Sequence, residues 1–282
     1  MVTQLTTSPP QTSFLKISYP APRVVLLTMS REKDLNCTSS AAVLEMTAVF
    51  RWVDAEPSIT VAIITGAGKK AFSTGADLKE WNAKVTQAAA EGKNTGGAGP
   101  GNVPGAEGLS NRRGKKPFIA AVNGMALGGG CENVVNCDLV IASETATFGL
   151  VEVKRGLAPY SGVLPRLIRT IGLQRASEFA LTGKVIDAFT AEKWGLVNKI
   201  VPQHRVVDEA ISWAKEIAEI SPDSIICTRA MLREGWTTAD VVEATKISDG
   251  REWAELQKGE NMLEGLRAFN EKRKPVWKGP RL

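Results

Sequence analysis

Histidine is almost missing from this chain: 282 residues contain one, His204. A His-rich metal site is thereby excluded. A Ser-His-Asp triad would have to use His204, which sits in a polar Pro202-Gln203-His204-Arg205 turn and has no G-x-S-x-G elbow to serve. It reads as a surface residue. Cysteine is scarce too, and Cys37, Cys131, Cys137 and Cys227 form no C-x-x-C pair. Nothing points to a disulfide framework or a zinc site, and a reducing interior is expected. No apolar run approaches the ~20 residues of a membrane span. The opening MVTQLTTSPPQTSF lacks the charged and apolar regions of a secretory signal, and no Arg precedes Arg23 to suggest a mitochondrial transit peptide. A dense Lys/Arg stripe with interleaved aromatics is absent as well. The net charge of +5 and pI near 9.0 therefore suit a phosphate-bearing small ligand better than nucleic acid.

What is present reads as an α/β protein. The chain is long enough for a full core, and 43% apolar with 23% charged residues is ordinary globular composition. Val24–Met29 reads as a strand, and Ser39 or Ser40 can cap a helix running through Asp54. Val61–Thr65 is the next strand, and this alternation continues for about 200 residues. From Val206 onward the pattern is helical, over Val206–Ile220, Pro222–Glu234, Thr238–Lys258 and Met262–Phe269. Three regions follow: a loose Thr/Ser/Pro-rich tail over 1–13, an α/β core over 14–203, and a C-terminal helical region over 204–282. Within the core, 82–114 is expected to be a mobile loop, since GKNTGGAGPGNVPGAEG (Gly92 to Gly108) is nearly free of apolar residues.

The chemistry concentrates between Pro117 and Glu152. Phe118–Val122 is a short apolar run of the kind that makes a buried strand, broken by Asn123-Gly124. Gly128-Gly129-Gly130 then opens a helix. Glycines there let a ligand touch the main chain, and the free N–H groups and positive helix end suit an oxyanion. Glu132 follows at once, and Glu152 lies 20 residues on, behind a strand at Leu139–Ala142. Taken alone, such a turn more often serves packing or phosphate binding. Gly66-Ala67-Gly68-Lys69-Lys70-Ala71 fits a dinucleotide fingerprint, but Phe72 to Gly75 stand where its helix should run, so an NAD-dependent oxidoreductase is set aside. Gly108 to Lys115 imitates a P-loop but has five residues between its glycines, and Lys116 where Ser or Thr is required.

A second block decides the matter. Ile63 to Glu80 reads IITGAGKKAFSTGADLKE, and Ala120 to Glu132 reads AAVNGMALGGGCE. In order and separation these two blocks resemble the enoyl-CoA hydratase/isomerase (crotonase) family, with agreement from about Val24 to Trp277. The ending FNEKRKPVWKG (Phe269 to Gly279) looks most like the carnitinyl-CoA dehydratase and fungal-type peroxisomal hydratase branch. The resemblance implies an α/β spiral of ββα units followed by C-terminal helices. It implies an acyl-CoA lyase adding water to, or removing it from, a 2-enoyl-CoA or 3-hydroxyacyl-CoA thioester. The thioester oxygen would sit between the N–H groups of Ala76 and Gly129. Glu132 and Glu152 occupy the positions of the family's acid/base pair; having both favours a hydratase over an enoyl-CoA isomerase, the alternative on the same fold. Val151 departs from the proline often found before the second glutamate.

For coenzyme A the resemblance points to Asp77 and Lys79, and to Phe269 and Lys272 reaching a neighbouring subunit, in a homotrimer or hexamer. It implies no metal and no cofactor beyond the coenzyme A that the substrate carries. Residues 82–114 become a flap beside the acyl pocket. An RNA-binding family member is a further alternative, motivated by Arg112-Arg113-Gly114-Lys115-Lys116. The last three residues, Pro280-Arg281-Leu282, resemble the peroxisomal address S-K-L with two departures, and a peroxisomal location is expected, otherwise the cytosol. The acyl group stays open among fatty-acid, siderophore and toxin metabolism.

Overall fold

Two sheets share one core with helices around them. The larger has the strand order β1 (Leu15–Ala21), β2 (Val24–Met29), β3 (Val61–Gly66), β5 (Phe118–Val122), β7 (Leu139–Ser143) and β10 (Lys199–Val201). β1 and β2 form an antiparallel hairpin, and the rest run parallel. The smaller sheet orders β4 (Ala71–Ser73), β6 (Met125–Leu127), β8 (Thr147–Gly149) and β9 (Val185–Asp187). The helices are α1 (Ser40–Ala55), α2 (Leu78–Ala90), α3 (Gly129–Asn136), α4 (Val163–Ile171), α5 (Leu173–Thr182), α6 (Ala188–Trp194), α7 (Val206–Ala218), α8 (Pro222–Thr237), α9 (Val241–Ser248), α10 (Ala254–Leu256) and α11 (Glu260–Asn270). The computed structural model describes residues 4–93, 99, 107–109 and 114–282. Among them no helix is long and apolar enough to cross a membrane.

The chain winds as repeated ββα turns: β3, β4, α2; then β5, β6, α3; then β7, β8 and, past a 3-10 turn, α4. This is the spiral that the resemblance implies. Each turn leaves a long strand in one sheet and a three-residue strand in the other. β3 reads VAIITG and is buried at all six positions, as expected for a parallel strand covered on both faces. Period-2 geometry divides it. Ala62 and Ile64 join Phe50, Phe72, Phe118 and Val134 in the core between the sheets. Val61 and Ile63 join Ile119, Ile141 and the α7 residues Val206, Ala210 and Ala214 on the other face. At the strand ends, Asn123 Nδ2 donates to the carbonyls of Gly66 (2.9 Å) and Gly68 (2.8 Å), which ties the β5 turn to the β3 turn.

Three expectations need correction. The tail is not loose from Thr6 onward. Thr6 and Thr7 N–H donate to the buried Glu56 carboxylate, and Ser13 and Phe14 N–H donate to Glu45. Burial works against the charge on Glu56, but these donors and Ser58 overcome it and pull the carboxyl down to about 2. The mobile loop does not begin at 82, because α2 continues to Ala90. Most of the remainder of 82–114, including Arg112 and Arg113, lies outside the described residues. The helix expected over Thr238–Lys258 is broken by a π turn at Asp249–Trp253, which holds Gly250.

Two residues past α3 stands a second, partly buried charge. Asp138 accepts from Phe118 N–H (2.9 Å) and from Arg229 Nε and Arg233 NH2 (2.9 Å each) on α8. Burial raises its pKa, but the two arginines overcome that and hold it below the ordinary carboxylate range.

Candidate active site

The site forms where the first two turns of the spiral meet. β4 runs out into Thr74-Gly75-Ala76, and β6 runs out into the glycine triplet. Gly75 holds φ +83°, and a side chain there would stand 2.5 Å from the Gly129 nitrogen. The turn carrying Ala76 therefore abuts the first residue of α3. Thr38 N–H donates to Gly75 O (2.8 Å), and Asp77 N–H donates to Thr38 O (2.9 Å). This bridge uses the groups on either side of Ala76 and leaves its own N–H aimed elsewhere. Among the described residues no protein acceptor takes that N–H. The Gly129 N–H, at the first position of α3, is one of the donors that a helix cannot satisfy internally. Both residues line one cavity of about 230 Å³.

Glu132 and Glu152 line the same cavity. Glu132 sits in the first turn of α3 and is 5% exposed. Burial, and then the charge of Glu152, push its carboxyl up to about 7. The N–H groups of Tyr160 and Ser161 and the Ser161 hydroxyl moderate that rise. Glu152 opens the 3-10 turn Glu152–Arg155 after β8, and burial raises its pKa too. Its Oε2 is buried and has no hydrogen-bond partner among the described residues. Gly128, at φ +54° and ψ −127°, lets the chain turn beneath this carboxyl; a Cβ there would lie 3.5 Å from Oε1. Val151 lines the wall beside it at φ −91°. A Glu132 carboxyl that still holds a proton near neutrality and a second carboxyl that burial also makes more basic, beside two unused main-chain donors, can move protons on a bound carbonyl compound.

The remaining expected residues are elsewhere. Asp77 caps α2, accepting from Lys79 and Glu80 N–H (3.2 Å each), and pairs with Arg31 (3.1 Å). Its carboxylate lines a separate hollow with Arg31 and Glu45, not the cavity. Lys79 is exposed on α2, whose Leu78 and Trp81 do reach the cavity. Phe269 is 82% exposed at the end of α11, and Lys272 follows it in a left-handed turn at φ +54°. Neither is brought to the cavity of its own chain. The basic run behind the RNA reading loses Lys116, which is 1% exposed with its ammonium on the carbonyls of Val53 and Glu56. Sequence reasoning missed Asn133, Tyr160 and Ser161. The last two lie in the turn before α4, and only their position after Glu152 pointed to them.

Comparison with known proteins agrees with this geometry. The family model for enoyl-CoA hydratase/isomerase matches residues 21–280. The chain is 48% identical to the mevalonyl-coenzyme A hydratase of Beauveria bassiana, over 98% of this chain and 99% of that protein. It is 37% identical to the carnitinyl-CoA dehydratase of Escherichia coli, over 91% and 95%. The crystal structure of an enoyl-CoA hydratase from Bacillus anthracis superposes with a TM-score of 0.81 at 34% identity, covering 95% of this chain and all of that one. The chain belongs to the enoyl-CoA hydratase/isomerase family.

Proposed function

We propose that this chain interconverts a 3-hydroxyacyl-CoA and its 2-enoyl-CoA by loss and gain of water, on a short acyl group of the mevalonyl type. Such a group is branched at C3 and carries a second, distal hydroxyl. That the chain is an enoyl-CoA hydratase-type hydro-lyase rests on its membership and close relatives. The choice of acyl group is supported by the similarity to a mevalonyl-coenzyme A hydratase. The observation that carries the chemistry is Glu132 and Glu152 side by side on the wall that also presents the Ala76 and Gly129 amides.

In the dehydrating direction, Glu152 takes the proton from C2, and the C–H electron pair moves into a thioester enolate. The Ala76 and Gly129 N–H groups hold the enolate oxygen. Losing one such donor typically costs ~10²–10³ in rate. The enolate then forms the C2–C3 double bond as the C3–O bond breaks, and the oxygen leaves as water with a proton from Glu132. Hydration reverses each step. Both carboxyls face one cavity, so proton and hydroxyl are exchanged on the same face of the acyl chain. A panel of 2-enoyl and 3-hydroxyacyl thioesters tests this reading. Turnover of 3-enoyl thioesters alone would replace it with an isomerase.

Coenzyme A would lie along Lys79 and meet Phe269 and Lys272 of a neighbouring subunit, in a trimer or hexamer. The exposed apolar residues Leu263, Leu266, Phe269 and Val276 support such packing. A monomer by light scattering would end that part of the proposal. We further propose a peroxisomal location through Pro280-Arg281-Leu282. The Asp223 carboxylate accepts from the N–H groups of Arg281 (2.6 Å) and Leu282 (3.2 Å), so a receptor must first draw the tripeptide off. An unchanged distribution after deleting the three residues would sink it.

A further inference from the structure

Most of the polar groups lining the acyl cavity are already engaged. Glu132 and Glu152 are the acid/base pair. Glu107 pairs with Arg51 at 2.6 Å. The Thr38 hydroxyl donates to Gly75 O at 3.3 Å, and the Thr74 hydroxyl to Leu35 O at 3.4 Å. Arg155 donates to Lys154 O at 3.2 Å, and Ser161 serves Glu132.

Asn133 is different. It follows Glu132 on α3, is only 9% exposed, and lines the cavity. Among the described residues no hydrogen bond engages its side-chain amide, which is not one of the fully enclosed orphan groups and so opens onto the cavity. An acyl chain filling the cavity shuts that amide off from water, and amides so enclosed are nearly always hydrogen-bonded. The cavity is the place where this one can be satisfied. The wall also includes Val43, Met46, Leu157 and Ala158. A pocket meant for hydrocarbon alone would have no reason to place an amide there.

We infer that Asn133 is a specificity-determining residue that reads a hydroxyl on the acyl chain, beyond the reacting C2 and C3 atoms. The inference rests on the hydratase reading above and adds how its substrate is chosen. Charge complementarity narrows the ligand group. A carboxylate would meet Glu132 and Glu152 in the same small space. A neutral hydroxyl both donates and accepts, as the amide does, and costs less to desolvate. Discrimination then comes largely from rejection: an acyl chain lacking the hydroxyl leaves the buried amide unpaired.

The test compares two thioesters that differ by one oxygen, 5-hydroxy-3-methylpent-2-enoyl-CoA and 3-methylpent-2-enoyl-CoA. For the wild-type enzyme, kcat/KM should favour the hydroxylated substrate by ~10-fold or more, the worth of about one hydrogen bond to a buried group. Asn133→Leu should bring the ratio close to one. Asn133→Ser, which keeps a donor and an acceptor, should retain part of it. A merely structural role would lower both substrates together and leave the ratio in place, which would overturn the inference. So would a wild-type enzyme that does not distinguish the two. If neither thioester nor its hydrated partner is turned over, while other acyl thioesters are, the choice of acyl group fails and takes this inference with it.

Discussion

Helix α3 has a carboxylate near each end, one buried and one partly buried, and the two are treated in opposite ways. Beyond its C-terminus, Asp138 is met by Arg229 and Arg233 and held below the ordinary carboxylate range. At its N-terminus, Glu132 faces Glu152, with no cation paired to either among the described residues, and is pushed up to about 7. Both are largely buried, so burial alone does not set the outcome; the partner does. At one end the fold neutralises charge with charge, in a form that stays fixed. At the other it neutralises charge with a proton, which can leave. The Asp138 arrangement can only hold α8 against the sheet. The Glu132 arrangement can give and take a proton at working pH, at a cost in stability.

The largest effect should come from breaking the proton-holding end. Glu132→Gln and Glu152→Gln should each lower hydration by ~10²–10⁴. The double variant should lose little more than the worse single one, because groups acting as a unit fail together. Exchange of the C2 proton with deuterated solvent separates their roles. Glu132→Gln should keep some exchange, and Glu152→Gln should lose it with hydration. Full hydratase activity in a folded Glu152→Gln protein would refute the assignment.

The paired end should break in the other way. Arg229 is 8% exposed, and Arg229→Met removes one of the two cations on Asp138. Breaking a buried pair from one side costs roughly 3–5 kcal/mol, toward the low end here because Arg233 remains. The melting temperature should fall by many degrees. The kcat/KM of the protein that stays folded should change less than a few-fold, since Arg229 does not line the cavity. A loss of turnover matching that of Glu152→Gln at unchanged stability would mean that the two ends are not separate.

The proton-holding end was the more legible of the two in the sequence. Gly128 to Glu132 and Gly75 to Asp77 are contiguous, and their spacing repeats a known pattern, so residue type and order were enough. The strands β2, β3, β5 and β7 were legible because they are apolar runs with breakers at their ends. The strands β4, β6, β8 and β9 have three residues each, too few for a period to show. Asp138, Arg229 and Arg233 come together only in the fold, 91 and 95 residues apart. Asp77 carries two signals at once. The resemblance offers it for coenzyme A, yet Asp-x-x-Glu is also how a helix starts, and the structure shows it capping α2. Asn133 had no pattern at all; only the shape of the cavity singles it out.

The smallest effect is the most discriminating, because the two ends should answer pH with different signs. The Glu132 carboxyl titrates near 7 in the folded chain and near its ordinary 4.5 when unfolded. Between these values the folded protein binds more protons than the unfolded one, so stability falls as pH rises through that window. The gap between the two values bounds the loss at roughly 3 kcal/mol, and about 1–3 kcal/mol is expected after relaxation. A glutamine side chain resembles the protonated carboxyl and escapes the penalty. Glu132→Gln should therefore melt higher than wild type at pH 8, with the advantage shrinking to nothing near pH 4.5. Asp138 is held below its ordinary 3.8, so its contribution is fully present above that pH and is lost only as pH falls through the folded value. The deficit of Asp138→Asn should thus be constant from pH 5 to 8, across the range in which the Glu132→Gln advantage grows. Melting curves of the two variants and wild type at four pH values would settle it. Parallel behaviour of the two variants would mean that Glu132 is not held protonated, and would remove the physical basis for its role as the proton donor to departing water.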